Sequence, residues 1–254
     1  LLTGGGKMVY PEMIIFDYGH TLLYEPGFDT LRGEKALLKY VKSCRKTYTA
    51  EEINGFAKTI FREISTVRSM GYELHEWQFR KYLYEYLGIE FSIPMPEAER
   101  IFWYHTSPGE IMPGADKMID YINSCGIRSG VVSNISFSGE ALAERINRLL
   151  PNNRFEFIIA SSEYMFRKPS RFLFELSLKK AGIDASKVWF CGDNPLADIE
   201  GAASAGMFPV WYENLEIDNL WCRNMKTPDC EHLHIHDWNQ LIEVLERLRS
   251  GVSD

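Results

Sequence analysis

Short apolar runs alternating with helical patterns set the rhythm of this chain. Met13–Phe16 is one such run, ending at Asp17, and others recur at 130–132, 157–160, 188–191 and 208–212. Brief apolar runs separated by helical stretches read as buried strands joined by crossovers, and therefore as a parallel sheet. The helices carry their own punctuation. Met118, Ile119, Ile122 and Cys125 form a stripe that stops before Gly126, and Leu173, Leu176 and Ala181 stop before Gly182. Asp237 and Gln240 are spaced as a capping box ahead of Leu241, Leu245 and Leu248. The pattern predicts an α/β fold with helices covering both faces of a parallel sheet.

Residues 24–110 break that rhythm, because helical patterns follow one another there with no convincing strand between them. Thr49 and Glu52 form a capping box before the stripe Ile53, Phe56, Ile60, Ile64 and Val67. A second helix carries Trp77, Leu83, Tyr86 and Leu87 before Gly88, and Pro94 with Pro96 punctuates the chain ahead of a short helix around 101–104. The expected organisation is a core of residues 8–23 and 111–254 with an all-helical insertion at 24–110. The opening LLTGGGK, residues 1–7, reads as an unstructured leader outside the fold.

Composition narrows the possible partners. Of 254 residues, 45% are hydrophobic and 25% charged, which is ordinary for a folded globular chain. A formal net charge of -7 argues against a nucleic-acid partner, since gripping a phosphate backbone needs a basic face. No apolar run approaches the roughly 20 residues of a membrane helix, and residues 1–12 lack a signal-type apolar core, so the expectation is a cytoplasmic protein with no membrane partner. The five cysteines form no CxxC pair and read as reduced thiols. Cys222, Cys230, His232, His234 and His236 raise the question of zinc, but their spacing matches no standard finger, and Leu233 with Ile235 reads more simply as a final strand. The aromatic residues Trp77, Phe79, Tyr82, Tyr84, Tyr86, Phe102, Trp103 and Tyr104 fall at helical spacing, which favours packing between helices over a pocket lining.

The candidate chemistry lies at strand ends. Asp17 closes the first strand, at the edge where open α/β sheets bind ligands. Ser133 and Asn134 follow the run at 130–132, where a hydroxyl and backbone N–H groups can hold a phosphate oxygen. Lys168 precedes Pro169 just ahead of a helix and can neutralise charge at a phosphoryl group. Asp193 follows the run at 188–191, with Gly192 leaving the backbone free to turn and Asp198 five residues on. Two carboxylates so placed repel unless a cation offsets them, and their oxygens suit magnesium.

FDYGHTLL, VVSN, KPS and GDNPLAD, in that order, resemble the motifs of the haloacid dehalogenase superfamily, from about residue 13 to the end of the chain. The resemblance implies a Rossmann-like three-layer core, a helical cap at 24–110, and attack by Asp17 on phosphorus to give an aspartyl phosphate. It further implies Mg2+ held by Asp17, the backbone carbonyl of Gly19 and Asp193, with Asp198 close by, and Ser133 and Lys168 on the transferring oxygens. One position departs from the pattern: phosphatases of the superfamily carry a second Asp two residues after the nucleophile, and here that residue is Gly19. A positioned acid or base contributes roughly 10² to 10⁴ in rate. The expected activity is therefore magnesium-dependent hydrolysis of a small phosphorylated substrate with a good leaving group, with a water, a cap residue or His20 managing the proton. A phosphonate-cleaving or dehalogenase-type hydrolase, or a phospho-ligand or protein-binding module, is the alternative. Retention of both Asp193 and Asp198 argues against a metal-independent dehalogenase, and Lys35, Lys39 and Lys42 sit in no motif for a Schiff-base lysine.

Overall fold

The computed structural model describes residues 2–3, 8–220 and 222–251. Strands β1 (Leu2–Thr3), β2 (Met13–Phe16), β7 (Arg128–Ser133), β8 (Ile158–Ala160), β9 (Val188–Gly192), β10 (Phe208–Tyr212) and β11 (His232–Ile235) form one sheet in the order β1-β11-β10-β9-β2-β7-β8. The remaining strands make two short antiparallel ribbons, β3 (Leu23–Tyr24) with β6 (Glu110–Ile111), and β4 (Val41–Cys44) with β5 (Ile89–Phe91). Six strands of the large sheet run parallel, and β1 adds to β11 in the antiparallel sense, Leu2 opposite Leu233. Of the expected leader, Leu2 and Thr3 thus belong to the sheet, while residues 1 and 4–7 lie outside the described residues.

Alternation along the strands builds two apolar layers. Ile14, Phe16, Val131, Trp189, Cys191, Val210 and Tyr212 face one side, where α5 (Ala115–Ser124), α6 (Gly139–Leu149) and α9 (Trp238–Ser250) bury Met118, Ile122, Leu142, Leu241 and Leu245 against them. Met13, Ile15, Val132, Val188 and Phe190 face the other, under Leu173 and Phe174 of α7 (Arg171–Ala181) and Ala202 of α8 (Gly201–Ser204). Because both faces are covered, successive residues of β2, β9 and β10 and the middle of β7 are apolar or glycine, which is why these strands read as continuous runs. The helix ends follow the expected chemistry. Gly182 closes α7 in the left-handed conformation, and the Asp237 side chain caps α9 by accepting from Gln240 N–H. The Gln240 side chain reaches back one residue beyond the cap, to His236 N–H at 2.9 Å.

The segment between β3 and β6 holds α1 (Thr30–Leu37), α2 (Ala50–Ser69), α3 (Glu76–Leu87) and α4 (Met95–Thr106). The Thr49–Glu52 capping box opens α2 as its spacing predicts, and Gly88 closes α3. Two expectations are corrected. The segment is not all helical, since β4 and β5 pair across a bulge between Val41 and Ser43; β4 is mostly exposed and so carries no apolar alternation to betray it. Helix α4 is also longer than the pattern suggested, because Pro96 stands in its first turn, where the missing N–H has no helical partner to lose, and starts the helix instead of interrupting it. Gly33 lets α1 and α4 meet: a Cβ there would fall 2.5 Å from Phe102 and from Thr106.

Polar contacts tie this helical layer to the sheet layer. Glu99 accepts from Ser138 N–H at 2.8 Å, from its hydroxyl at 2.5 Å and from Trp77 Nε1 at 2.8 Å. Trp103 lies between Phe137, stacked at 4.1 Å, and the Arg145 guanidinium at 3.6 Å, while Glu25 accepts from both Trp103 Nε1 and Arg145. Of the eight aromatic residues at helical spacing, Tyr82, Tyr86 and Tyr104 are exposed, and Phe79, Tyr84, Phe102 and Trp103 are buried in packing. Among the described residues no helix is long and apolar enough to cross a membrane.

Candidate active site

Three adjacent strands, β7, β2 and β9, end at one edge of the sheet, and each delivers a polar residue where its apolar run stops. Ser133 is the last residue of β7, Asp17 follows β2 directly, and Asp193 follows Gly192 at the end of β9. The chain winds outward from β2 to β7 and β8, then returns to β9 on the opposite flank of β2. That reversal is the switch point at which open α/β sheets leave a crevice. Asp17 is still anchored in the sheet, its N–H donating to Cys191 O at 2.8 Å, so its carboxylate stands on a fixed backbone.

Lys168 enters from the loop before α7 and is almost fully buried. Its Nζ donates to Asp17 Oδ1 at 2.6 Å and to Val132 O at 2.8 Å, and pairs with Asp198 Oδ1 at 2.6 Å. Asn134 clasps the Lys168 backbone, donating from Nδ2 to Lys168 O at 2.9 Å and accepting from Lys168 N–H at 2.7 Å. The Asn134 side chain thus positions Lys168, with both of its polar atoms matched to that backbone; the expected phosphate contact at this strand end runs through backbone N–H groups and is not affected by this pairing.

Asp198 lies in a π-helical turn, Pro195–Glu200, and accepts from Asn194 N–H at 3.0 Å. Gly192 serves this approach more than any turn: a Cβ there would fall 2.4 Å from the Asp198 carboxyl group. One oxygen from each of Asp17, Asp193 and Asp198 lies within 4.8 Å of the others. Burial raises the pKa of Asp17 against the pull of Lys168, and burial followed by repulsion from Asp198 pushes Asp193 up to about 6. Burial likewise pushes Asp198 up to about 6. For Lys168 burial disfavours the charge, but Asp17 and Asp198 outweigh it and hold the ammonium above its ordinary pKa. Three acids facing one base leave an unbalanced negative charge, and an all-oxygen donor set of this kind fits a hard divalent cation such as magnesium.

A cleft of about 220 Å³ opens beside Asp193, lined among others by His20, Trp211, Glu213, Asn219 and Cys222. His20 sits in the left-handed region (φ 51°), its Nδ1 is buried without a hydrogen-bond partner, and burial lowers its pKa. Asn219 Nδ2 donates to Asp193 Oδ2 at 2.6 Å, the Cys222 thiol donates to the same oxygen at 3.3 Å, and Thr21 Oγ1 donates to Oδ1 at 3.4 Å. Asn219 and Cys222 were invisible to spacing rules, since only the return of the chain after β10 brings them over β9. Gly19 leaves open space: a Cβ built there meets nothing within 4 Å.

A family model for haloacid dehalogenase-like hydrolases matches residues 34–211. The chain belongs to that family. The matched segment contains Ser133, Lys168, Asp193 and Asp198, and Asp17 lies just before it. The chain is 27% identical over 209 residues to the pyrimidine 5'-nucleotidase YjjG of Escherichia coli, covering 79% of this chain and 85% of that protein. It is 29% identical over 136 residues to a glyceraldehyde 3-phosphate phosphatase of Pyrococcus abyssi, a match spanning 52% of this chain and about half (56%) of that relative. In fold it resembles a haloacid dehalogenase-type (HAD) phosphatase from Thermococcus onnurineus, with a TM-score of 0.60 and 18% identity over 92% of this chain and 97% of the other. A 2-haloacid dehalogenase from Pseudomonas syringae superposes equally well, with a TM-score of 0.60 and 21% identity over 94% and 99% of the two chains. The hydrolase family and its Rossmann-like fold are therefore settled, and the reaction has to be argued from the site.

Proposed function

We propose that this hydrolase is a magnesium-dependent phosphatase acting on a small phosphorylated metabolite through an aspartyl-phosphate intermediate. The observation that carries the proposal is the cluster itself: Asp17, Asp193 and Asp198 within 4.8 Å, with Lys168 bridging Asp17 and Asp198. In this reading an Asp17 oxygen attacks phosphorus as the bond to the leaving oxygen breaks, and water then attacks the same phosphorus, releasing phosphate and restoring Asp17. Lys168 and Ser133 bind the phosphoryl oxygens, and Lys168 holds the Asp17 carboxylate in one orientation. Asp17, Asp193 and the Gly19 carbonyl are the groups that would hold magnesium, with Asp198 beside them; bound there, the ion supplies charge neutralisation at the phosphoryl group.

The names of the relatives support the substrate class, since a sugar-phosphate phosphatase and pyrimidine 5'-nucleotidases act on small phosphate monoesters. The alternative of a Schiff-base lysine loses support, because Lys35 is exposed and paired with Glu51, and Lys39 and Lys42 are exposed as well. A lysine nucleophile needs desolvation or a cationic neighbour to lose its proton at neutral pH. The test is phosphate release from aryl, acyl, sugar and nucleotide phosphates, with and without magnesium, for the wild type and Asp17→Asn. Magnesium-dependent turnover that falls on the order of 10⁴-fold or more in the variant is expected; equal rates for the two proteins would overturn the proposal.

A further inference from the structure

A second cluster of metal-ligating side chains lies at the same sheet edge, beyond β9 on the side away from β7. Strands β10 and β11 are parallel neighbours with Tyr212 opposite Ile235, and Glu213 N–H continues the ladder to Ile235 O at 2.9 Å. Glu213 therefore emerges beside the two histidines that flank Ile235. His234 and His236 are two apart on an extended strand and share a face. Glu213 Oε2 lies 3.0 Å from His234 Nε2 and 3.8 Å from His236 Nδ1, and one ligand atom from each of the three residues falls within 4.8 Å of the others.

We propose that Glu213, His234 and His236 form a binding site for a borderline divalent cation, zinc by preference, separate from the carboxylate cluster at Asp17. Two imidazoles and one carboxylate are a mixed nitrogen and oxygen set, which suits zinc, whereas the all-oxygen cluster suits magnesium. Both rings are held in place before any ion arrives. His234 stacks on Trp211 with ring centres 4.0 Å apart and planes within 10°, and His236 Nδ1 lies 2.9 Å from Glu213 O. Held through Nδ1 in this way, His236 would offer its other nitrogen, Nε2, to an ion, and outer contacts of this kind orient ligand histidines in metal sites generally. The side chains are 25%, 43% and 40% exposed for His234, Glu213 and His236, so an ion can reach them from solvent and a water can complete its coordination. Histidine spacing alone hid this site because the third ligand follows β10, 21 residues before His234. Glu213 also lines the cleft beside Asp193, so the proposed ion site adjoins that cleft.

The competing account is a plain ion pair between Glu213 and a protonated histidine, and metal titration of the full chain separates the two. Excess magnesium is present throughout to occupy the carboxylate cluster, zinc uptake is followed by calorimetry, and cobalt is followed by visible absorption as a reporter of nitrogen ligation. One equivalent of zinc is expected for the wild type and for Asp193→Asn, with affinity weakened more than about 10-fold in His234→Ala and in Glu213→Gln. The second variant keeps the shape of a half-exposed side chain, so the test survives if His234→Ala misfolds. Absence of zinc uptake in excess magnesium would overturn the proposal. So would an equivalent that persists in His234→Ala and Glu213→Gln but disappears in Asp193→Asn.

Discussion

Two of the charged clusters that the protein buries, one at the sheet edge and one inside the helical layer, differ in how their charges are matched. In the helical layer Arg80 is almost fully buried beside Glu34 and Glu76. Its guanidinium pairs with Glu76 Oε1 at 2.8 Å, donates to Tyr84 Oη at 2.6 Å and lies 3.3 Å over the Phe102 ring, while the Tyr84 hydroxyl donates to Glu34 Oε2 at 3.0 Å. Each acid there is matched to a donor, and none of these residues lines the cleft. At the sheet edge three acids share one lysine, and Asp193 faces the cleft. Burial of charge is therefore common to both, and so is an excess of acids, two to one around Arg80 and three to one around Lys168; what sets the proposed active site apart is the larger excess beside open space.

Removing the base from each cluster tests that distinction. Arg80→Met strands Glu34 and Glu76 in the interior and is expected to cost about 3–5 kcal/mol of stability, measured by denaturant unfolding, with turnover of the folded fraction unchanged. Replacing Glu34, Glu76 and Arg80 together by apolar residues of similar volume should recover most of that loss. Turnover that fell in Arg80→Met without a stability loss would erase the difference between the clusters. Lys168→Met is the converse. It is expected to lower kcat/KM by about 10² to 10³, since a preorganised charge at the phosphoryl group is removed, and the loss should persist at temperatures where the variant is fully folded. A variant with normal kinetics and lower stability would make Lys168 a structural partner only.

The two clusters were not equally legible. Asp17, Ser133, Lys168, Asp193 and Asp198 each follow an apolar run or precede a helix, so the sequence lists them and the parallel sheet brings them to one edge. Glu76 and Arg80 stand at the i,i+4 spacing of an ordinary helix-surface pair, and Glu34, 46 residues before Arg80, leaves no periodic trace to show that the pair is buried against it. The same reason hid Asn219 and Cys222 on Asp193, and Glu213 beside His234. The β4 and β5 ribbon escaped notice since a mostly exposed strand has no apolar side to alternate with a polar one. Local pattern records burial against a layer; it does not record which distant side chain arrives to neutralise a charge.

Gly19 offers a way to sharpen the sheet-edge side of the comparison. A Cβ at this position has open space around it, and Gly19 has no left-handed backbone to strain, so Gly19→Asp places its Cβ without a clash. If the missing proton-transfer group limits the reaction, the variant should raise kcat on alkyl phosphates by up to about 10² and leave aryl and acyl phosphates nearly unchanged, because only poor leaving groups need the proton. An increase that ignores leaving-group pKa, or no increase for any substrate, would mean that another group already carries out the transfer.

The smallest effect is thermodynamic and needs no substrate. Burial pushes Asp193 and Asp198 up to about 6, above an unfolded carboxylate near pH 4, so between those values the folded protein holds more protons than the unfolded chain. Their contribution to stability is therefore present below about pH 4 and is lost as pH rises through about 6. Magnesium requires the ionised carboxylates and binds only the folded form, so it should offset this loss increasingly as pH rises. Thermal unfolding should show a negligible magnesium effect near pH 5 and a rise in Tm of a few degrees near pH 7.5, at about 2–4 °C for each kcal/mol of binding. The Arg80 cluster has a smaller excess, two acids on one arginine, and lines no cleft, so Arg80→Met should retain the full pH-dependent increment while Asp193→Asn abolishes it. An increment of equal size at both pH values would place magnesium on groups other than these carboxylates.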